Sequence, residues 1–218
     1  MKKVWLLVTV FVTLILFFPI ANLAFNRSPQ VIEGSLQKIE EKVSMLDTQL
    51  KNIEKNTLET YTYITEKQKQ LAEKAGTSVE LIRTLQNIAA SYNIPLELAY
   101  EVVRLESNFD PKLTCYNEWN DTYDRGLFQL NDNTSPWLAE KIGIKDFTYD
   151  MAYNIELNMK MGLWYLNYLY QKYHNWHDAL TAYNRGMYGL KKYKEYHGTS
   201  RSAYSRTILK SVEKQKQN

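Results

Sequence analysis

The sequence predicts a mainly α-helical protein built from a membrane-spanning helix, a coiled-coil stalk and one α-rich domain. Three patterns point there. No charged residue occurs between Lys3 and Arg27, an apolar stretch long enough to exceed the ~20 residues that cross a hydrocarbon core of ~30 Å. Apolar residues then recur in alternating steps of four and three at Ile32, Leu36, Ile39, Val43, Leu46, Leu50 and Ile53, the signature of a helix with one buried seam. Further on, apolar stripes of helical period are punctuated by Gly, Pro and Asn without sustained strand alternation, which gives an all-α or α-rich α+β domain.

The N-terminal apolar segment, 4–25, is longer than the ~7–15-residue core of a secretory signal. Pro19-Ile20-Ala21 and Asn22-Leu23-Ala24 are poor small-x-small cleavage sites, so an uncleaved anchor is the reading and a removed signal its rival. Lys2 and Lys3 precede the segment and Arg27 alone flanks its other end. The positive-inside tendency leaves the N-terminus cytoplasmic and the rest of the chain outside the cell membrane, in a single-pass arrangement. The expected organisation is a cytoplasmic tip and anchor over 1–25, a linker and stalk over 26–76, and the domain with a basic tail over 77–218.

In the stalk, Leu36, Val43 and Leu50 occupy a positions and Ile32, Ile39, Leu46 and Ile53 d positions, with polar residues between. The register weakens toward Leu71. Two packings satisfy such a seam: a homo-oligomer joined through 32–71, or one amphipathic helix lying on its own chain. At ~1.5 Å per residue, ~40 helical residues lift the downstream domain by ~60 Å.

Ala75-Gly76-Thr77-Ser78 ends the stalk and supplies a cap for a helix over 79–92. Asn93-Ile94-Pro95 separates it from a second helix, with Pro95 suited to a first turn. On that helix Ala99, Val103 and Glu106 share a face. A carboxylate there loses solvation and keeps its proton, as a general acid must. A turn at 107–111 leads into a polar loop, 112–125, with a short β-ribbon inside 115–128. Helices are expected over 135–142, 152–173 and 176–185, the last stopped by Gly186, and from Ser202 onward.

The small net charge of +3 hides a split, because 80–178 holds 8 basic and 14 acidic residues and 179–218 holds 9 and 2. A basic tail attracts an anionic polymer or lipid surface, although a solvated helix face is the simpler reading, and nothing suggests a nucleic-acid partner. Cys115 is the sole cysteine, which excludes an intrachain disulfide and a cysteine zinc cluster. There is no zinc-spaced His pair, Gly-rich phosphate loop or Ser-His-Asp order, and His174, His177 and His197 read as surface or packing residues. No metal and no cofactor is expected.

Four blocks stand in order: Glu106-Ser107-Asn108-Phe109-Asp110-Pro111, Gly126-Leu127-Phe128-Gln129-Leu130, Asn158-Met159-Lys160-Met161-Gly162-Leu163-Trp164-Tyr165-Leu166, and Ala179-Leu180-Thr181-Ala182-Tyr183-Asn184-Arg185-Gly186. Together they resemble the lytic transglycosylases of the soluble-lytic-transglycosylase type, relatives of goose-type lysozyme. Phe128 replaces the usual Met, and the 112–125 loop, with Tyr116, Trp119 and Tyr123, is longer and more acidic than the family's link. The resemblance implies a lysozyme-like α-rich domain acting on peptidoglycan glycan strands at the β-1,4 bond between N-acetylmuramic acid and N-acetylglucosamine. It implies that Glu106 first protonates the leaving oxygen and then, as carboxylate, takes the proton of the muramic C6 hydroxyl, which closes to a 1,6-anhydro end. Ser107 and Gln129 are expected to bond sugar substituents or order the site, Tyr183 to bond or orient Glu106, and Asn184 to bind substrate.

A second carboxylate is not obligatory for this closure. Glu118, Asp121, Asp124 and Asp132 all lie in the central region, and any of them positioning a water would give a lysozyme-type hydrolase instead. The remaining alternative is a non-catalytic wall-binding or scaffold part of a secretion, conjugation or phage apparatus, against which the intact Glu106 argues.

Overall fold

A computed structural model describes residues 29–217 of the chain. The expected anchor, 4–25, lies outside the described residues, and among those described no helix is long and apolar enough to cross a membrane. The chain divides into two compact units, Met1–Ile64 and Thr65–Asn218.

In the first unit, helix α1 (Pro29–Ala75) opens on a proline, which a first helical turn tolerates because its N–H has no partner there anyway. Surface pairs such as Lys51 with Asp47 at 2.7 Å line it. The seam side chains Leu36, Val43, Leu46, Leu50 and Ile53 are exposed in the single chain.

The second unit begins within the last turns of α1, upstream of the boundary expected at residue 77. Gln68, Leu71 and Ala72 are buried, Gln68 bonds Gln86 at 2.8 Å, and Lys67 pairs with Glu97. The heptad weakens here because these residues serve the domain core. Helix α2 (Val79–Ser91) starts where Ser78 accepts a hydrogen bond from the Leu81 N–H, and α3 (Leu96–Ser107) ends on Asn108 in the left-handed region at φ 48°. Leu85, Leu98, Val102, Val103, Leu138 and Leu166 fill the core around them.

The expected ribbon is a three-stranded antiparallel sheet of order β1-β2-β3, with strands β1 (Thr114–Asn117), β2 (Thr122–Arg125) and β3 (Leu130–Asn131). Strands this short carry no readable alternation. Helix α4 (Ser135–Lys141) and a 3-10 turn (Tyr149–Tyr153) lead to α5 (Ile155–Tyr173). α5 starts after residue 152 because Asn154 caps it, accepting from the Leu157 N–H at 2.9 Å.

Helix α6 (Trp176–His197) consists of two helical pieces, the first ending at the expected stop, Arg185. Gly186 does interrupt it, at φ 72° and ψ 163°, a conformation that side-chain-bearing residues avoid. Beyond the break the turns resume, so the glycine acts as a joint between two helical pieces. Helix α7 (Ala203–Gln217) is the last in chain order.

The dense aromatic stripe of α5 divides between neighbours. Trp137 meets Trp164 and Tyr168 edge-on, while Tyr170 stacks on Trp176 at 4.0 Å. Gly162 faces Phe128 closely: a Cβ there would lie 2.3 Å from the ring's Cγ. Gly162→Ala is expected to lower stability by about 1–3 kcal/mol, read as the shift of a denaturant-unfolding midpoint.

Candidate active site

The site is organised around one turn, residues 126–129. Gly126 adopts φ 72°, and a Cβ on it would lie 2.5 Å from the Asn158 Nδ2 and 2.6 Å from the Ala152 carbonyl. Four side chains hold the rest of the turn. Ser107 donates to the Leu127 carbonyl at 2.9 Å, and the Asn158 Oδ1 accepts from the Phe128 N–H at 2.8 Å. Tyr183 donates to the Phe128 carbonyl at 2.8 Å, and the Gln129 amide donates to the Gly126 carbonyl at 2.9 Å. Asn158 and Gly162 stand four apart on α5, on one face. The first grips the turn's N–H while the second makes room for its ring, which gives the spacing of the third block a physical cause.

Against this turn α3 brings Glu106. From α7, the Tyr204 hydroxyl donates to the Glu106 Oε1. Burial pushes the Glu106 carboxyl up from its usual 4.5 to about 7, the Tyr204 bond opposes the rise, and the charge of Asp124 adds to it. Burial and the nearby Glu106 charge also raise the Tyr204 phenol well above its ordinary value, so Tyr204 stays a donor. Glu106, Asp124, Gln129, Tyr165, Tyr183 and Asn184 line a cavity of about 500 Å³. Trp119, on the β1–β2 turn, stands fully exposed at its rim.

Of the residues expected from sequence, Glu106, Gln129, Tyr183 and Asn184 therefore meet in one cavity. Ser107 does not line it. Only 4% exposed, its hydroxyl is engaged with the Leu127 and Val103 carbonyls, so it orders the site from beneath and a sugar cannot reach it. The expected bond from Tyr183 to Glu106 is also corrected, because the Phe128 carbonyl takes that hydroxyl and Tyr204 supplies the bond to the acid. The available signal for Tyr204 was its place at the head of a stripe continued by Ile208 and Val212, both buried.

The four loop carboxylates separate as well. Asp132 is held by Arg125 through bonds of 2.8 and 3.0 Å, Asp121 accepts from Tyr116 at 3.0 Å, and Glu118 is exposed. Asp124 alone of the four lines the cavity. Among the described residues no group of His, Cys, Asp and Glu is placed to hold a metal ion.

The transglycosylase SLT domain matches residues 83–205, more than half of the chain. The chain belongs to the SLT transglycosylase domain family. The SLT match ends just past Tyr204, so it takes in both Glu106 and the tyrosine that bonds it, though not the rest of α7. No curated protein matches the chain in sequence.

Solved structures that share the fold include two lytic transglycosylases. Lytic transglycosylase Slt from Pseudomonas aeruginosa, solved as an inactive mutant, is 19% identical over 60% of this chain and 23% of its own, at a TM-score of 0.50. The 70-kDa soluble lytic transglycosylase in complex with bulgecin A is 22% identical over 65% of this chain and 24% of its own, also at 0.50. The chain thus spans about a quarter of the length of either protein, and its SLT domain is mainly α and lysozyme-like.

The raised carboxyl couples stability to pH. Because Glu106 binds its proton more tightly folded than unfolded, its contribution is fully present below pH 4.5 and is lost as pH rises through about 7. The loss amounts to roughly 3 kcal/mol. Denaturant unfolding of the parent and of Glu106→Gln at pH 5 and pH 8 checks this: the parent should lose stability relative to the variant across the interval, and parallel behaviour would refute the coupling.

Proposed function

We propose that this protein is a membrane-anchored peptidoglycan lytic transglycosylase that opens the cell wall locally by cleaving the β-1,4 bond between N-acetylmuramic acid and N-acetylglucosamine. The observation that carries the reading is Glu106, half-buried in the lining of an open cavity with a carboxyl pushed up to about 7. Such a group is protonated often enough near neutrality to give its proton to a leaving oxygen, and basic enough afterwards to take one back. The bond between C1 and the leaving oxygen breaks as that oxygen gains the Glu106 proton. The muramic C6 hydroxyl then adds to C1 and returns its proton to Glu106, leaving a 1,6-anhydro end. Family membership supports the glycan substrate, and the two solved relatives are themselves lytic transglycosylases.

Anchoring rests on the uncharged segment 4–25 and on the charge asymmetry around it, and it puts the SLT domain outside the cell membrane. Self-association through 32–71 rests on the heptad seam, of which Leu36, Val43, Leu46, Leu50 and Ile53 stand exposed in the single chain. A hydrolysing muramidase is the second reading, favoured by Asp124 in the cavity.

Digestion of purified sacculi with the full chain in detergent, followed by mass spectrometry of the released sugars, tests the proposal. Anhydromuramic ends are expected. Reducing ends alone would replace transglycosylation by hydrolysis, and release of neither would overturn the enzymatic reading in favour of a wall-binding or scaffold component.

A further inference from the structure

We infer that Asp124 is a second catalytic carboxylate, a fixed anion that stabilises the positive charge developing at the anomeric carbon as the glycosidic bond breaks. The inference rests on the glycan-cleaving reading and adds to it a residue that a mechanism built on Glu106 alone does not use.

The sheet shows how Asp124 is held. On β2 it pairs directly with Asn131 of β3, and with Cys115 of β1, two residues before Asn117. Residues two apart on a strand point to the same side, and so do direct cross-strand partners. Asn117, Asp124 and Asn131 therefore share one face of the sheet, and all three line the cavity that holds Glu106.

Both carboxylate oxygens are engaged. The Asn117 Nδ2 donates to Oδ2 at 2.7 Å, and the Asn131 Nδ2 donates to Oδ1 at 2.7 Å. Asn131 is fixed in turn, since its amide also donates to the Thr122 hydroxyl at 2.8 Å.

These partners are neutral. Amide donors satisfy the carboxylate oxygens without bringing a positive charge, so its negative charge is left to act on a substrate. Asp132, in the same sheet region, shows the opposite arrangement, its charge consumed by the two bonds from Arg125. A purely structural carboxylate has no need to sit in an open cavity beside a second acid whose protonation it favours. Two carboxyl groups in one site, one half-buried and proton-retaining and the other held by neutral amides, are what an acid and an electrostatic stabiliser require.

The step balances without any bond to Asp124. As the C1–O4 bond breaks, its electron pair goes to O4, which takes the Glu106 proton. The positive charge left on C1 is shared with the ring oxygen. The C6 hydroxyl, or water in the hydrolytic variant, adds to C1 and passes its proton to the Glu106 carboxylate. Asp124 keeps its charge throughout, so its attraction is strongest when the cation is most developed, which accelerates the bond-breaking step.

The test uses the full chain. Asp124→Asn is compared with the parent for the initial rate of sugar release from sacculi and for sedimentation with them. The expected result is a fall in rate of about a hundredfold with binding to sacculi retained. A fall of less than about tenfold, with the parent active, overturns the inference and leaves the glycan-cleaving reading standing. If the parent itself releases nothing, that reading falls and takes this one with it. Because the substitution touches all three strands, Asp124→Ala with added formate decides the case in which Asp124→Asn no longer binds. Restoration of release by formate and not by chloride supports a missing anion, and no restoration overturns it.

Discussion

Glu106→Gln is expected to cut sugar release from sacculi by about 10²–10⁴-fold, the usual worth of a positioned general acid and base. The amide keeps the shape of the carboxyl and an oxygen to accept the bond from Tyr204. What it lacks is the exchangeable proton and the anion left when that proton departs. Sedimentation with sacculi should therefore be unchanged while turnover disappears, the pattern of an interaction made in the reaction and not in binding. Activity within a few-fold of the parent would remove Glu106 from the chemistry. The same variant carries no cost of burying charge at alkaline pH, so its inactivity there cannot be blamed on unfolding.

Asn158→Ala is expected to be the most damaging change remote from the acid. Its side chain accepts from the Phe128 N–H at 2.8 Å and donates to the Ala152 and Arg125 carbonyls at 2.7 and 3.0 Å, and it is 1% exposed. Alanine strands three backbone groups at once, and each unsatisfied buried group costs about 1–3 kcal/mol. Allowing for relaxation, the expected loss is about 3–5 kcal/mol, a large share of the ~5–15 kcal/mol available to an ordinary domain. Asn158→Asp should recover little, because a carboxylate can accept from Phe128 but cannot donate to the two carbonyls. A shift in the denaturation midpoint equivalent to less than about 1 kcal/mol would show that the 126–129 turn holds without this clamp.

These two residues mark what the sequence made legible. Glu106 was readable because its helix places it on an apolar face with a turn close behind, a local pattern. The Asn158 block was readable only as part of a resemblance, since nothing in its own spacing says which backbone group it grips. The helical stripe of Tyr204 marks it as inward-facing but not as a partner of the acid: the bond to Glu106 joins residues 98 apart, and no periodicity encodes such a meeting. Of the two roles expected of Ser107, ordering the site is the one its bond to the Leu127 carbonyl gives it, for a related reason. A hydroxyl next to a catalytic carboxyl in sequence sits roughly a quarter-turn around the helix, so the neighbour of a residue facing the cavity faces the core. The strands escaped detail because two to four residues are too few for alternation to show, and while Gly186 does stop the helix before it, the second helical piece beyond it was not legible.

The dependence of Glu106 on Tyr204 also sets an order of assembly. α7 is synthesised after every other described element, and it docks partly through Gln215, whose amide donates to the buried Glu101 on the same helix as Glu106. Until α7 arrives, the acid lacks its hydrogen-bond donor and one wall of its shelter, and an exposed carboxyl reverts toward an ordinary, ionised one. A chain still emerging, or trimmed by proteolysis before residue 203, thus carries all four blocks but not the finished acid. Docking of α7 is in this sense the protein's own safety catch.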